Sequence, residues 1–292
     1  MLVKSCINKA GRKASEKKLK SPLCKLGGKH FLKHWIIEKI PTHKVWVEAF
    51  CGSCVISFTK KPSEITLVND IDKNLISFWK VLQDNTKRKQ LIQFLDCMLY
   101  SRSLWWELRE RWKSGSIPAD PIERAGQWFF LNRSCYASDI RLGGFIGYTQ
   151  GRNMCKTFRN AVDQLNAVGE MVKTWIIENL DYKTCITRFD SPDTVFYCDM
   201  PYYLPGKREC YQDSFTLDDH KALAELLNNI KGRALVSHYK DNIISELYQG
   251  WSRYEYESFK GSSNGDTKPK TVEILYCNFE PVKTKGLFDA ME

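Results

Sequence analysis

The tetrapeptide Asp199-Met200-Pro201-Tyr202 directly follows the apolar run Val195-Phe196-Tyr197-Cys198, so a carboxylate, a proline and an aromatic ring stand where a buried strand should end. Ligands bind open α/β sheets at that edge. A charged acceptor beside a flat ring can grip a flat, amine-bearing molecule such as a nucleobase. Other strand-like runs finish in polar groups too: Glu48 after Val45-Trp46-Val47, Asp70 after Ile65 to Val68, Ser237 after Arg233 to Val236. Glu48, followed by the Gly52 turn, suits the ammonium at the amino-acid end of a nucleoside cofactor. Asp70, about twenty residues further on, suits a ribose diol, by the logic of dinucleotide sites. Ordinary capping of the helices after these strands is the competing explanation for Glu48 and Asp70 taken singly.

An alternation of strands and helices would place these groups along one edge. Val45 to Phe50 reads as a buried strand, followed by a turn and a short helix through Phe58; Ile65 to Val68 reads as a second strand, with a helix from Ile71 to Leu82. Ahead of them Phe31, Leu32, Trp35, Ile36 and Ile40 mark one helical face between Lys29 and Ile40, stopped by Pro41. The rhythm returns late: strand 194–199, a helix 217–230 begun by Thr216 with Asp219 in capping-box position, strand 233–237, helix 242–248 and a last strand 271–279. This predicts an α/β class, with a mostly parallel Rossmann-like sheet covered by helices on both faces. Residues 80–180 differ: they hold Trp105, Trp106, Trp112 and Trp128, have no clear strand run and read as a mainly helical insertion. Gly143-Gly144 and Gly147, flanked by Arg141 and Arg152, read there as a loop whose backbone comes close to a ligand.

Charge divides the chain in the same way. The net charge of +10 is concentrated in residues 1–29, with nine Lys or Arg against Glu16, and in residues 80–160, with fourteen basic against seven acidic side chains. Two basic segments on a mildly acidic body suggest a polyanion partner. Residues 1–21 read as a basic disordered arm, 22–79 with 181–292 as a catalytic domain, and 80–180 as the segment that meets the polyanion.

Eleven scattered cysteines suit reduced thiols better than a disulfide framework. Cys51-Gly-Ser-Cys54 with His30 and His34 formally completes a four-ligand set, but small residues flanking a tight Gly52 turn explain that pair better, and no metal is expected. No apolar run approaches the ~18 residues of a membrane span, and the first twenty residues lack the core of a signal peptide, so a soluble cytoplasmic protein is expected.

The order of motifs resembles the Dam-type, or alpha-group, DNA adenine-N6 methyltransferases. The family's opening Gly-Gly-Lys element is matched by Lys25-Leu26-Gly27-Gly28-Lys29, and its Val-Glu-Pro-Phe-x-Gly-Ser-Gly loop by Val47-Glu48-Ala49-Phe50-Cys51-Gly52-Ser53-Cys54. Asn69-Asp70-Ile71-Asp72 matches the acidic residue after the second strand, Asn132-Arg133 the Asn-Arg pair of the DNA-reading insertion, and Asp199-Met200-Pro201-Tyr202 the catalytic Asp-Pro-Pro-Tyr. Four positions depart from the pattern: Lys25 replaces an aromatic residue, Ala49 and Cys54 replace a Pro and a Gly of the loop, and Met200 replaces the first catalytic Pro.

The resemblance implies methyl transfer from S-adenosylmethionine to N6 of a flipped-out adenine in double-stranded DNA, with Asp199, Met200, Pro201 and Tyr202 as the catalytic segment. It implies cofactor contacts from Lys25, Gly28, Lys29, Glu48, Phe50, Gly52, Ser53, Asp70, Ile71 and Asp199, and DNA contacts from Asn132, Arg133, Arg141 and Arg152. A restriction–modification role is expected, with a cognate restriction endonuclease left open as a further partner, and a monomer in solution. Two other readings compete: a catalytically impaired DNA-binding protein on this scaffold, and an amino-methyltransferase acting on cytosine N4 or on RNA.

Overall fold

The protein is described by a computed structural model in which residues 19–25, 29–149, 151–203, 215–259 and 270–281 are placed. Most of the basic arm and Gly28 lie outside the described residues. The backbone of the fold is a seven-stranded sheet. Five strands are parallel: β1 (Val45–Glu48), β2 (Ile65–Asn69), β5 (Ile176–Glu178), β6 (Thr194–Cys198) and β7 (Arg233–Tyr239). Two antiparallel strands, β8 (Ser252–Phe259) and β9 (Lys270–Cys277), complete it in the order β5-β2-β1-β6-β7-β9-β8.

β6 is buried at all five positions, as a central parallel strand covered on both faces must be. Its side chains alternate between two cores. Val195 and Tyr197 join Trp46, Leu235 and Leu275 under α1 (Lys33–Ile37) and α2 (Val55–Thr59). Phe196 and Cys198 join Val47, Ala234 and Val236 under α9 (Tyr182–Phe189), α10 (Leu217–Asn228) and α11 (Asn242–Leu247). The capping box expected at the start of α10 is present, with the Thr216 hydroxyl and the Asp219 carboxylate bonded reciprocally.

The long connection from β2 to β5 contains α3 (Lys73–Gln83), α4 (Asn85–Cys97), α5 (Arg102–Lys113), α6 (Pro121–Ser134), α7 (Met154–Asp163) and α8 (Leu165–Val172). Side-chain caps start five of these helices, all but α8, at Asp72, Asp84, Ser101, Asp120 and Asn153. Their tryptophans, Trp106 excepted, and phenylalanines form a third core that is continuous with Phe58 and Val68 of the sheet layer.

The structure corrects several expectations. Residues 80–180 are mainly helical but contain a two-stranded hairpin, β3 (Tyr148–Thr149) with β4 (Arg152–Asn153), and β5, which pairs with β2 in the main sheet. β5 is too short and too exposed to give an apolar run, and only pairing defines it. The helix expected from Lys29 is confined to Lys33–Ile37, with Lys29 in the preceding turn. β8 is a further difference from the expected elements, although Arg253, Glu255 and Glu257 alternate with Tyr254 and Tyr256 as in a strand with one solvated face.

Candidate active site

The strand order reverses between β1 and β6: the chain runs outward from β1 to β2 on one side and from β6 to β7 on the other. This is the switch point at which open α/β sheets form a crevice. Register aligns Glu48, the last residue of β1, with Tyr197 of β6, so the loops after both strands emerge side by side.

On the β1 side, Glu48 is buried and its Oε1 accepts from the Ser57 backbone N–H (2.7 Å) and hydroxyl (2.5 Å) at the start of α2. Burial pushes its carboxyl up to about 7 against those hydrogen bonds. The loop then turns at Gly52, whose φ of +47° favours glycine, and its N–H donates to Asp70 Oδ2 at 2.9 Å. Asp70 Oδ1 accepts from Asp72 N at 3.1 Å, and Asn69 bonds the Ala49 and Leu180 backbones, so the ends of β1, β2 and β5 are tied together. Ser53 is buried in the loop, Phe50 packs on Tyr182 and Phe215, and Ile71 is exposed beside Asp70. Lys25 lies over the loop: a Cβ on Gly52 would come within 2.7 Å of its Nζ. Cys51 and Cys54 are buried in this turn, and among the described residues no group of three or more His, Cys, Asp or Glu could hold a metal ion.

On the β6 side, Asp199 is the centre of a dense polar cluster. Its Oδ1 accepts from Lys29 Nζ at 2.7 Å and from the Ser237 hydroxyl at 3.1 Å, and Ser237 is in turn bonded to Tyr197 Oη at 3.2 Å. Lys29 also pairs with Glu273 at 3.3 Å and sits 4.7 Å from the centroid of the Tyr202 ring. Burial opposes the Lys29 charge, but Asp199 and Glu273 outweigh it and hold its pKa above the ordinary lysine value. The Tyr202 hydroxyl donates to Glu273. The Tyr202 ring lies 4.6 Å from His238 and meets Tyr239 edge-on at 4.7 Å. Met200 is buried, and the Tyr203 N–H donates to His238 Nε2 at 2.9 Å. His238 Nδ1 is 2.8 Å from the Tyr239 carbonyl, so the neutral ring donates on one side and accepts on the other. Burial accordingly lowers its pKa to about 4.

Glu273 and His238 were missed by sequence reasoning. Glu273 left one signal, a lone carboxylate inside the apolar run Val272 to Cys277. The antiparallel insertion of β9 beside β7, which sets Glu273 opposite Tyr239, had no local signature.

The insertion residues divide into two groups. The Asn132 side chain accepts from Cys24 N (3.0 Å) and donates to Cys24 O (2.9 Å), and Arg133 bonds the Pro22 and Thr157 carbonyls, so both hold the segment leading to Lys25 and Lys29. Arg141 lies in a surface turn fixed by Asp139 and Arg109, where Gly143 is so close to the Asp139 and Tyr136 carbonyls that a Cβ would fall 2.4 Å from each. Arg152 is exposed on β4. The structure thus brings Lys25, Lys29, Glu48, Phe50, Gly52, Ser53, Asp70, Ile71 and Asp199 to the sheet edge and leaves Arg141 and Arg152 on the insertion surface.

Comparison with known proteins bears on this arrangement. A family described as D12 class N6 adenine-specific DNA methyltransferase matches residues 26–261. The chain is similar to the type II methyltransferase M.CviBI of Paramecium bursaria Chlorella virus NC1A, with 22% identity over 73% of this chain and 79% of that protein. It is similar to the type II methyltransferase M.MjaIII of Methanocaldococcus jannaschii, with 23% identity over 77% of this chain and 86% of that protein. The DNA N-6-adenine-methyltransferase of Escherichia phage P1 is 24% identical over 92% of this chain, which spans only 38% of that longer protein.

Proposed function

We propose, for a chain that belongs to the D12 class of N6 adenine-specific DNA methyltransferases, that the Asp199 cluster is where the adenine amino group is presented for methylation. The enzyme transfers a methyl group from S-adenosylmethionine to adenine N6 in DNA. The observation that carries the site assignment is the position of Asp199 at the end of β6, across the switch point from the buried carboxylates of Glu48 and Asp70.

The donor set on the β1 side fits the cofactor: Glu48 complements an ammonium, Asp70 a ribose diol, Phe50 and Ile71 apolar ring surface, and the Gly52 turn brings backbone close to a ligand. Lys25 and Ser53 border the same loop. When bound, the cofactor supplies an electrophilic methyl group on sulfur. The adenine amino group is a poor nucleophile because its lone pair is delocalised into the ring. Asp199 and the backbone carbonyl of Met200 accept hydrogen bonds from its two N–H groups and so favour a nitrogen whose lone pair is free to attack. Replacement of the family's first Pro by Met200 leaves that carbonyl in place, and Pro201 keeps Met200 away from helical backbone. As N6 gains the methyl group it loses one proton, which Asp199 is positioned to take. Tyr202 stacks on the flipped base, an interaction worth about 1–3 kcal/mol. Arg141 and Arg152 are the insertion residues proposed to meet DNA, and the names of two relatives support a restriction–modification setting.

Asp199→Ala tests the assignment. Methyl transfer from labelled cofactor to purified DNA is expected to fall by about 100-fold or more. Turnover near the wild-type rate would overturn it.

A further inference from the structure

We infer that Glu273 is a positioning residue for methyl transfer, which receives the Lys29 ammonium when Asp199 must turn to the target amine and which fixes the Tyr202 ring by its hydroxyl. The inference rests on the assignment of Asp199 as acceptor for the adenine amino group.

The described structure has one oxygen of Asp199 engaged by the protein itself. Its Oδ1 holds the Lys29 ammonium at 2.7 Å, together with the Ser237 hydroxyl at 3.1 Å. A carboxylate oxygen that carries an ammonium is partly neutralised and is a poorer acceptor for a neutral amine. When the target amine takes this oxygen, Lys29 has to release it. Simply withdrawing a buried ammonium from its partner is strongly unfavourable, because it leaves a buried charge unpaired. Glu273 removes that cost, because its Oε1 is only 3.3 Å from the same Nζ and the ammonium stays paired as it moves. Like-charge repulsion from any cation beside Asp199 favours the same displacement.

The two carboxylates are not equivalent. The Asp199 side chain is 23% exposed at the crevice, whereas Glu273 is 3% exposed and lies on a strand hydrogen-bonded on both sides. Asp199 can meet a substrate, and Glu273 is confined to groups inside the protein. One of these is the Tyr202 hydroxyl, so the carboxylate that takes Lys29 also fixes the ring on which the base stacks. Lys29 lies 4.7 Å from the centroid of that ring, and its movement toward Glu273 alters the surface presented to the base.

The test uses the full chain with DNA of mixed sequence from a host lacking adenine methylation. Glu273→Gln keeps size and an acceptor for Tyr202 while removing the charge. Its single-turnover methylation rate is expected to fall about tenfold or more, with S-adenosylmethionine affinity by calorimetry held within about twofold. Glu273→Asp should recover part of the loss. In a Lys29→Gln background the Glu273→Gln change should cost nothing further, and that pair of changes removes both partners of a buried ion pair, which proteins tolerate better than removal of one. A wild-type rate for Glu273→Gln, an equal loss in the Lys29→Gln background, or a parallel loss of cofactor affinity and rate would each overturn the inference. Asp199→Ala is measured alongside. If it stays active, the assignment of Asp199 falls; if it is inactive while Glu273→Gln is normal, only the role of Glu273 falls.

Discussion

Burial pushes the Glu48 carboxyl up to about 7 despite two hydrogen bonds from Ser57. A carboxyl whose native pKa is raised contributes stability that is complete below its unfolded value and is lost as pH rises through its folded one. Unfolding midpoints of the wild type and of Glu48→Gln should therefore diverge between pH 4.5 and about 7, with the wild type losing stability relative to the variant. His238 and His220, both lowered to about 4 by burial, act with the opposite sign as pH falls below 6.5, which is why the difference between the two proteins isolates Glu48. If Glu48 meets the cofactor ammonium, S-adenosylmethionine affinity should rise with pH through about 7 in the wild type and be flat in Glu48→Gln. Calorimetry across that range checks both, and an identical pH dependence in the two proteins would remove Glu48 from the cofactor site.

α6 does its work for the site from a distance. Through Asn132 and Arg133 it clamps Pro22 and Cys24, and thereby fixes where the chain enters Lys25 and Lys29. Asn132→Ala is expected to lower cofactor affinity and turnover by several-fold, as two partly buried hydrogen bonds of about 1 kcal/mol each are removed, while DNA affinity stays constant. A selective loss of DNA affinity would instead make Asn132 a DNA-binding residue. The turn between β1 and α2 invites a second substitution. Gly52→Ala meets both a φ of +47° and the Lys25 side chain at 2.7 Å, and should cost about 1 kcal/mol of stability and weaken cofactor binding. Denaturation and calorimetry measure the two effects separately.

At the largest scale the protein is a mostly parallel mixed sheet whose long β2–β5 crossover has been expanded into a basic helical body. Its tryptophan-rich core runs on into the sheet layer through Phe58 and Val68. The seven Lys or Arg of residues 1–20 form a second basic region. Deleting that arm should weaken DNA binding and make it less salt-dependent, since every phosphate that is no longer neutralised reduces the salt slope by about 0.9, without changing the methylated sequence. Arg141→Ala or Arg152→Ala should alter which sites are modified. Methylation-sensitive sequencing beside salt titrations checks this, and a changed motif on arm deletion would refute the division.

The sequence by itself determined four of the five parallel strands, β5 excepted, because buried strands such as Val195 to Cys198 need apolar residues on both faces and are punctuated by polar ends. It determined Glu48, Asp70 and Asp199 as groups gathered on one edge, since each directly follows such a run. Only the tertiary structure decided their partners. Lys29 meets Asp199 across 170 positions of chain, and Glu273 reaches the same ammonium because β9 enters the sheet antiparallel beside β7. Pairing of that kind is set by packing of the whole sheet, and no local pattern of residue types encodes it. The same holds for Asn132, which motif order assigned to DNA and whose amide is bonded on both sides to Cys24, 108 positions away.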